Sequence, residues 1–255
     1  MPGPDMLAHV AALLECRDVD TAWQLHVDCM ARFGFDRMIY GLTRFPPGAT
    51  LADLSDVLIL SNHTPEYLTP WLRDGFVSHS PMVRWALHNT GACSWRWITE
   101  EDARGTLTEA ERRTVAFNQR MGVRAGYTIS FGQKGTRHRG VIGLCARDGL
   151  QQDEVDAYWQ IVGREVEVLN GLMHLCISAL PHTPPSRHLT ARQREVLEWV
   201  SEGKTTQDIA TILGVTPATV EKHLRLARTT MGAETTAQAL LRASFFNQIY
   251  QVSPR

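Results

Sequence analysis

The stretch from Leu180 to Arg187 reads LPHTPPSR and holds three prolines within five residues. Each proline fixes its own φ angle and lacks a backbone N–H, so neither an α-helix nor a central β-strand continues through it. We therefore predict a semi-rigid linker over 180–187 between two independently folded domains, one over 1–179 and one over 188–255. The chain length of 255 residues suits two domains of ordinary size.

Charge is distributed unevenly between these two domains. The whole chain carries 26 Lys plus Arg and 27 Asp plus Glu, a formal net charge of −1. Nine basic and six acidic residues lie from Arg187 to Arg255, a balance of +3, which leaves −4 for residues 1–186. A small basic domain attached to a larger acidic one indicates an anionic partner for the basic domain alone.

Composition excludes several classes of protein. Hydrophobic residues make up 44% and charged residues 21% of the chain, which is typical of a globular protein and not of a disordered, collagen-like or coiled-coil protein. We expect no membrane span, because the apolar runs are shorter than the ~18 residues a span needs, and no secretory signal, because the N-terminus lacks a basic n-region. Five scattered cysteines without a CxxC pair indicate reduced thiols in a cytoplasmic protein.

Hydrophobic periodicity predicts the elements of the N-terminal domain. Apolar residues spaced by three and four from Asp153 to Ala179 predict one long amphipathic helix, and another helical region covers about 4–33. Between them lie four β-rich runs, at 37–43, 57–61, 126–131 and 141–146. The glycine-containing turn over 132–140 predicts a hairpin. Helices at both ends and strands in the middle predict an α+β chain whose N-terminal domain is an α/β/α sandwich with a central antiparallel sheet.

The C-terminal domain is predicted to be all-α, with four helices. Thr190 and Gln193 are spaced as a capping box at the start of the first helix. A second helix over 206–213 ends at a glycine turn, Pro217 opens a third helix, and a fourth covers 236 to about 247. A short helix, a glycine turn and a helix with basic and hydroxyl residues near its start indicate a helix-turn-helix, although a four-helix bundle with solvated charges has the same pattern.

The helix-turn-helix interpretation places the third helix in the major groove of double-stranded DNA. Hydroxyl and basic side chains of such a helix reach base edges, while flanking groups contact phosphates. The candidate DNA-binding residues are Lys204, Thr205, Thr216, Thr219, Lys222, His223, Arg225 and Arg228.

Residues 189–224, LTARQREVLEWVSEGKTTQDIATILGVTPATVEKHL, closely resemble the DNA-binding domain of the LuxR family of bacterial transcription factors. The resemblance implies sequence-specific binding to a palindromic operator as a homodimer, with the third helix as the reader. The chain departs from the family after Leu224, since Leu226 stands where an Asn is common and Thr230-Met231 replace a frequent Lys-Leu pair.

Residues 60–95, LSNHTPEYLTPWLRDGFVSHSPMVRWALHNTGACSW, resemble the acyl-homoserine-lactone-binding domain of the quorum-sensing members of that family. The resemblance implies a small-molecule signal as the ligand and no other cofactor. The ligand-binding residues that it implies are Tyr67, Trp71, Phe76, Ser80, Trp95, Gly126 and Thr128.

Three of these positions depart from the family pattern. The family commonly supplies a Trp donor to the lactone carbonyl, a Tyr donor to the amide carbonyl and an Asp acceptor for the amide N–H, where this chain has Tyr67, Trp71 and Ser80. A hydroxyl in place of the carboxylate removes a charge-assisted hydrogen bond, which weakens an acyl lactone roughly ten- to a hundred-fold. Asp74 is a substitute acid in principle, but it precedes a glycine and is predicted to lie in a surface turn. We therefore predict a signal other than a typical acyl-homoserine lactone.

Three hypotheses follow for the whole chain. The first is a ligand-responsive dimeric transcription factor with the long helix at 153–179 as a dimer element. The second is a LuxR-type transcription factor whose N-terminal domain is independent of ligand or regulated by a partner protein, with the aromatic residues serving only as core. The third, an enzyme with a DNA-binding tail, has no nucleophile–base or carboxylate-pair motif to support it, so we predict neither catalytic residues nor enzyme activity.

A metal site is also not predicted. His63 and His79 have no second His or Cys three or four residues away, and we interpret them as surface or core histidines.

Overall fold

A computed structural model describes residues 6–43, 57–132, 139–180, 187–246 and 248–249. The chain divides into two compact units, Met1–Ser178 and Ala179–Arg255. Most of the predicted linker, residues 181–186, lies outside the described residues. Among the described helices, none combines the length and the hydropathy needed to span a lipid bilayer.

The N-terminal unit contains seven described α-helices and five described strands, with a short 3₁₀ turn at Phe76–His79. In chain order they are α1 (Met6–Glu15), α2 (Val19–Arg32), β1 (Phe35–Thr43), β2 (Val57–Ser61), α3 (Pro65–Arg73), α4 (Pro81–His88), β3 (Gly91–Ser94), α5 (Arg96–Ala103), α6 (Glu109–Arg120), β4 (Gly126–Gly132), β5 (Arg139–Ala146) and α7 (Gln152–Ala179).

The five strands form one antiparallel sheet in the order β2-β1-β5-β4-β3. Gly143 on β5 pairs with Ile39 on β1 and with Thr128 on β4, so these three side-chain positions share one face of the sheet. Helices pack on both faces, which confirms the predicted antiparallel α/β/α sandwich. The predicted hairpin strands β4 and β5 pair antiparallel, although the turn at 133–138 lies outside the described residues.

One face of the sheet packs against α2 and α7. The Tyr40 hydroxyl lies 2.8 Å from Nδ1 of His174 on α7, and the Tyr127 ring stacks on Trp159 of α7 at 3.7 Å between centroids. Side chains alternate between the two faces along each strand. Met38 and Ile142 belong to the face that packs against α2 and α7, and both are fully buried. This face of the sheet is filled by core side chains. A binding site is therefore expected on the opposite face.

A buried polar contact joins α2 to α7 beside this core. His26 is fully buried, and its Nε2 lies 3.0 Å from Oδ1 of Asn170. Burial lowers the pKa of His26 to about 4, so the ring is neutral at pH 7. A neutral imidazole with an amide partner satisfies the hydrogen-bonding requirement of a buried polar group without a buried charge.

The predicted N-terminal helical region consists of two helices, α1 and α2. The Asp18 carboxylate accepts the Thr21 N–H at 2.8 Å and so starts α2 as a new helix. Strand β3 and helices α3 to α6 were not predicted from the sequence. The long predicted helix at 153–179 is confirmed as α7.

The C-terminal unit contains the four predicted helices. They are α8 (Ala191–Ser201), α9 (Thr206–Leu213), α10 (Pro217–Met231) and α11 (Thr236–Phe245). The predicted capping box is present, since the Gln193 side chain accepts the Thr190 N–H and the Thr190 hydroxyl accepts the Gln193 N–H. Val196, Ile209 and Val220, from three different helices, are fully buried in one apolar cluster.

Candidate ligand cavity and nucleic-acid interface

A cavity of about 200 Å³ lies in the N-terminal unit between the second face of the sheet and helices α3 to α6. Apolar side chains such as Ile39, Val83 and Val141 supply much of its lining. A mostly apolar cavity with a few polar groups is the usual form of a small-molecule site. Five of the seven predicted ligand-binding residues line this cavity, namely Tyr67, Trp71, Ser80, Trp95 and Thr128.

Two glycines form part of the sheet surface below the cavity. A Cβ atom at Gly143 would lie 3.6 Å from Cγ2 of Ile39, and one at Gly41 would lie 3.9 Å from Cγ1 of Val57. Both distances are ordinary van der Waals contacts, so the packing of the sheet does not require glycine at either position. The missing side chains leave room above the strands.

An aromatic row forms one wall. His63, Tyr67 and Trp71 are spaced by four residues, with ring centroids 4.3 Å apart for the first pair and 5.5 Å for the second. The Tyr67 hydroxyl donates to Oδ1 of Asn118 on α6 at 3.1 Å. This bond fixes the tyrosine ring between two helices.

His63 was interpreted from the sequence as a surface or core histidine, but it lines the cavity. Burial, with a smaller contribution from the Arg37 guanidinium, lowers the pKa of His63 to about 4. The ring is therefore neutral at pH 7 and presents one N–H donor and one acceptor nitrogen.

The indole of Trp95 is fixed by the neighbouring strand. Its Nε1–H donates to Oγ1 of Thr128 at 2.9 Å, and both residues line the cavity. The indole donor is thus used within the protein, while the Thr128 hydroxyl keeps its proton.

Ser80 has a structural role as well as a place in the cavity. It is the N-cap of α4, where its Oγ accepts the Val83 N–H at 3.4 Å, and it is only 6% exposed. None of the described lining residues is an Asp or Glu. Asp74, the substitute acid considered above, lies at an exposed position just after α3, as predicted.

The other two predicted ligand-binding residues do not appear in the described lining. The Phe76 ring stacks on Phe117 at 4.4 Å within the aromatic cluster that includes Tyr67. The Gly126 N–H donates to Oε1 of Gln152 at 2.9 Å, and a Cβ atom at Gly126 would collide with the Leu144 carbonyl oxygen. Both positions are explained by packing.

Helices α9 and α10 have the form of a helix-turn-helix. Gly214 ends α9 in the left-handed conformation (φ 64°), and the Thr216 hydroxyl accepts the Thr219 N–H at 3.2 Å to begin α10. The Thr206 hydroxyl donates to the Glu221 carboxylate at 3.0 Å, which ties the two helices together.

The predicted DNA-binding residues differ in their surroundings within this unit. Lys222 and Arg225 are exposed one turn apart on α10 and form no ion pair with a described residue. Arg228 donates to the Thr236 hydroxyl at 3.1 Å and so connects α10 to α11. The remaining candidates lie at the starts of α9 and α10 or along α10, namely Lys204, Thr205, Thr216, Thr219 and His223.

The described residues contain no group of three or more His, Cys, Asp or Glu side chains placed to hold a metal ion.

Comparison with known proteins relates each unit to a characterised domain. Residues 18–177 match the autoinducer binding domain, and residues 187–243 match the luxR family of bacterial regulatory proteins. The transcriptional activator protein AnoR of Acinetobacter nosocomialis is 21% identical over 235 residues, which cover 92% of this chain and 94% of AnoR.

Two crystal structures share the fold. SdiA of Escherichia coli superimposes with a TM-score of 0.50 at 17% identity, covering 96% of this chain and 98% of SdiA. CepR2 of Burkholderia cenocepacia, an N-acylhomoserine-lactone-dependent LuxR family transcription factor, gives a TM-score of 0.53 at 17% identity, covering 68% of this chain and 93% of CepR2. The family is not enzymatic, in agreement with the absence of a catalytic motif in the sequence. The chain belongs to the LuxR-type quorum-sensing transcriptional regulators, with an autoinducer binding domain followed by a LuxR-type helix-turn-helix domain.

Proposed function

We propose that this chain is a ligand-responsive regulator that binds a palindromic DNA operator as a homodimer, and that its signal is not a typical acyl-homoserine lactone. The observation that carries the proposal is the cavity of about 200 Å³ with Ser80 at the position where the family has an acid. An acyl lactone buries an amide N–H, and such a donor needs an acceptor. The described lining offers no carboxylate for it.

The DNA-binding role is supported by the exposed cations of α10. Lys222 and Arg225 lie on the helix that corresponds to the reader in the LuxR-type domain. Because these two cations form no ion pair with a described residue, they are available for phosphates and for the acceptor atoms of guanine.

The dimer is supported by an apolar stripe on α7. Tyr158, Ile161, Val168 and Leu175 are exposed large side chains with spacings of three, seven and seven residues. A heptad-like row on one helix face is suited to packing against the same helix of a second copy.

Native mass spectrometry with small-molecule extraction, on protein purified from its own host, tests the ligand. We expect a compound that is released on denaturation and whose mass excludes an acyl-homoserine lactone. A lactone would contradict the non-standard signal, and an empty dimer that still binds DNA would favour regulation without ligand or by a partner protein.

A cavity-filling variant links the compound to the site. Gly143→Val adds side-chain atoms above the sheet, so we expect loss of the co-purifying compound with the fold retained. Gly171→Val on α7, where an added Cβ meets no atom within 4 Å, is the matched control and should retain the compound. Equal retention in both variants would place the ligand elsewhere.

A further inference from the structure

Every charged group in the described part of the cavity lining is a cation. Two arginines, Arg124 and Arg139, belong to this lining, and no Asp or Glu does. His63 is neutral at pH 7, because burial lowers its pKa to about 4. Ser80, which is uncharged, stands where the family has an acid. The described lining therefore carries positive charge without a compensating negative charge.

Arg139 is the first residue of β5 and lies on the cavity face of the sheet. Val141 and Gly143, two and four residues later on the same strand, also line the cavity, so the three positions share one face. The Arg139 side chain reaches helix α4, where its Nη1 donates to the Ala86 carbonyl at 3.5 Å. The guanidinium group thus lies between the sheet and α4, at the end of the cavity where β5 begins.

No carboxylate of a described residue pairs with Arg139. The contact with Ala86 is the one hydrogen bond that its side chain makes to the described part of the chain. A guanidinium group has five N–H donors and no acceptor. Arg139 is partly buried, and burial of an unpaired charge beside apolar side chains is unfavourable. A ligand anion would offset this cost through charge-assisted hydrogen bonds, which are bidentate when a carboxylate meets a guanidinium.

Arg124 is less suited to such a contact. It lies two residues before β4, near the opposite end of the sheet, since Gly126 at the start of β4 pairs with Cys145 near the end of β5. The Arg124 side chain is exposed, and its Nε donates to the Gln119 carbonyl at 3.2 Å. Because solvent and salt screen an exposed charge more strongly than a partly buried one, we assign the anion to Arg139.

We propose, building on the proposed function, that the signal is a small carboxylic acid whose apolar body fills the cavity and whose carboxylate binds Arg139. The uncharged Ser80 suits this ligand, because an acid in the same cavity would repel a carboxylate. The volume of about 200 Å³ restricts the apolar body to a short chain or a small ring system.

Two pairs of probes with nearly the same shape test the charge preference. Octanoate is compared with octanamide, and hydrocinnamate with hydrocinnamamide, each titrated calorimetrically into the full-length protein at pH 7. Each acid is ionised at this pH and each amide is neutral. We expect the carboxylate of at least one pair to bind at least about tenfold more tightly than its amide. Amides that bind as tightly as their carboxylates in both pairs, or binding of none of the four probes, would overturn the proposal.

Arg139→Gln tests where the carboxylate binds. Glutamine keeps an N–H donor for the Ala86 carbonyl and removes the charge, so we expect the carboxylate to lose at least about tenfold in affinity while the amide keeps its affinity. The amide serves as the internal control, since a misfolded cavity loses both probes. Arg113→Gln removes the same charge at an exposed position on α6, outside the described lining, and should leave both affinities unchanged. Unchanged carboxylate affinity in Arg139→Gln, or a selective loss in Arg124→Gln instead, would overturn the assignment to Arg139.

Failure of this inference is distinguishable from failure of the proposed function. A co-purifying compound that is neutral and not a lactone would contradict the carboxylic acid and still support a non-standard signal. A Gly143→Val variant that retains its ligand would instead contradict the assignment of the cavity itself.

Discussion

At the scale of single residues, Ser80 is both the N-cap of α4 and part of the cavity wall. An aspartate can therefore be introduced at this position, to test the effect of the acid that the family has there, without damage to the fold. Asp is as good an N-cap as Ser, and a negative charge at a helix N-terminus is favourable. We expect Ser80→Asp to raise the affinity for hexanoyl-homoserine lactone at least about tenfold, because the carboxylate accepts the amide N–H with a charge-assisted bond.

Titration calorimetry on the full-length protein measures this gain. Ser78→Asp adds the same charge at an exposed position two residues earlier and is expected to leave the affinity unchanged. If Ser80→Asp shows no gain, the shape of the cavity, and not the missing acid, excludes acyl lactones.

His26 gives a second prediction at this scale, on stability against pH. Its pKa is lowered by burial to about 4, below the ordinary value of 6.5 that it regains on unfolding. As the pH falls from 6.5 to 4, the unfolded chain takes up a proton that the folded chain does not, so stability is lost over that window and is fully present above it. The expected contribution is about 2 kcal/mol between pH 7 and pH 5.

Urea unfolding at a series of pH values checks this contribution. We expect His26→Gln to flatten the decline in the free energy of unfolding between pH 7 and pH 5. His88→Gln, at an exposed position, should keep the full decline. If the free energy of unfolding declines equally with falling pH in the parent protein and in His26→Gln, the His26 ring is not the source of the pH dependence.

At the scale of elements, α10 is the helix that we propose as the DNA reader, and its exposed cations allow a test. We expect Lys222→Ala or Arg225→Ala to weaken binding about five- to a hundred-fold while the helix content is retained, since neither side chain contacts the core. Gel shifts at fixed salt, with an operator selected from random-sequence DNA, measure the change.

Arg192→Ala is the matched control for these two variants. Arg192 is exposed on α8 and pairs with Glu195 at 2.7 Å, so its loss changes the net charge equally without altering α10. Unchanged affinity in both α10 variants, or an equal loss in Arg192→Ala, would argue against α10 as the reader.

Elements with local signals could be predicted from the sequence, and those without could not. The Thr190–Gln193 capping box and the apolar periodicity of α7 depend on residues that are close together in the sequence. Both predictions were confirmed. Strand β3 is four residues long and half-buried throughout, so it shows no alternation of buried and exposed residues. Helix α3 contains Pro70 in its interior, and a proline in a sequence usually indicates the end of a helix. The cavity depends on contacts between distant residues.

The pairing of Tyr67 with Asn118 joins positions 51 apart in the chain, and for this reason no spacing pattern indicates Asn118. His63 is similar, because a single histidine before a helix has many ordinary explanations. Five of the predicted ligand-binding residues line the cavity. They could be predicted because the family resemblance assigns a ligand-binding role to their positions in the sequence.

At the scale of the whole molecule, a regulator of a palindromic operator needs two copies of the reader held together. The apolar stripe of α7 is the surface that we assign to this contact. Ile161 is 79% exposed, and Val168 and Leu175 follow it at intervals of seven residues. Apolar side chains at that spacing become buried when the same helix of a second copy packs against them.

We expect Ile161→Asp to convert the proposed dimer to a monomer, because two carboxylates would be brought together in an apolar contact. The affinity for a two-half-site operator should then fall at least about tenfold, since the second half-site is no longer bound by a linked reader. Sedimentation velocity and gel shifts on the same samples measure both effects. Gln160→Asp, at the adjacent exposed position, should remain dimeric. A dimer that persists in both Ile161→Asp and Val168→Asp would show that the copies associate through another surface.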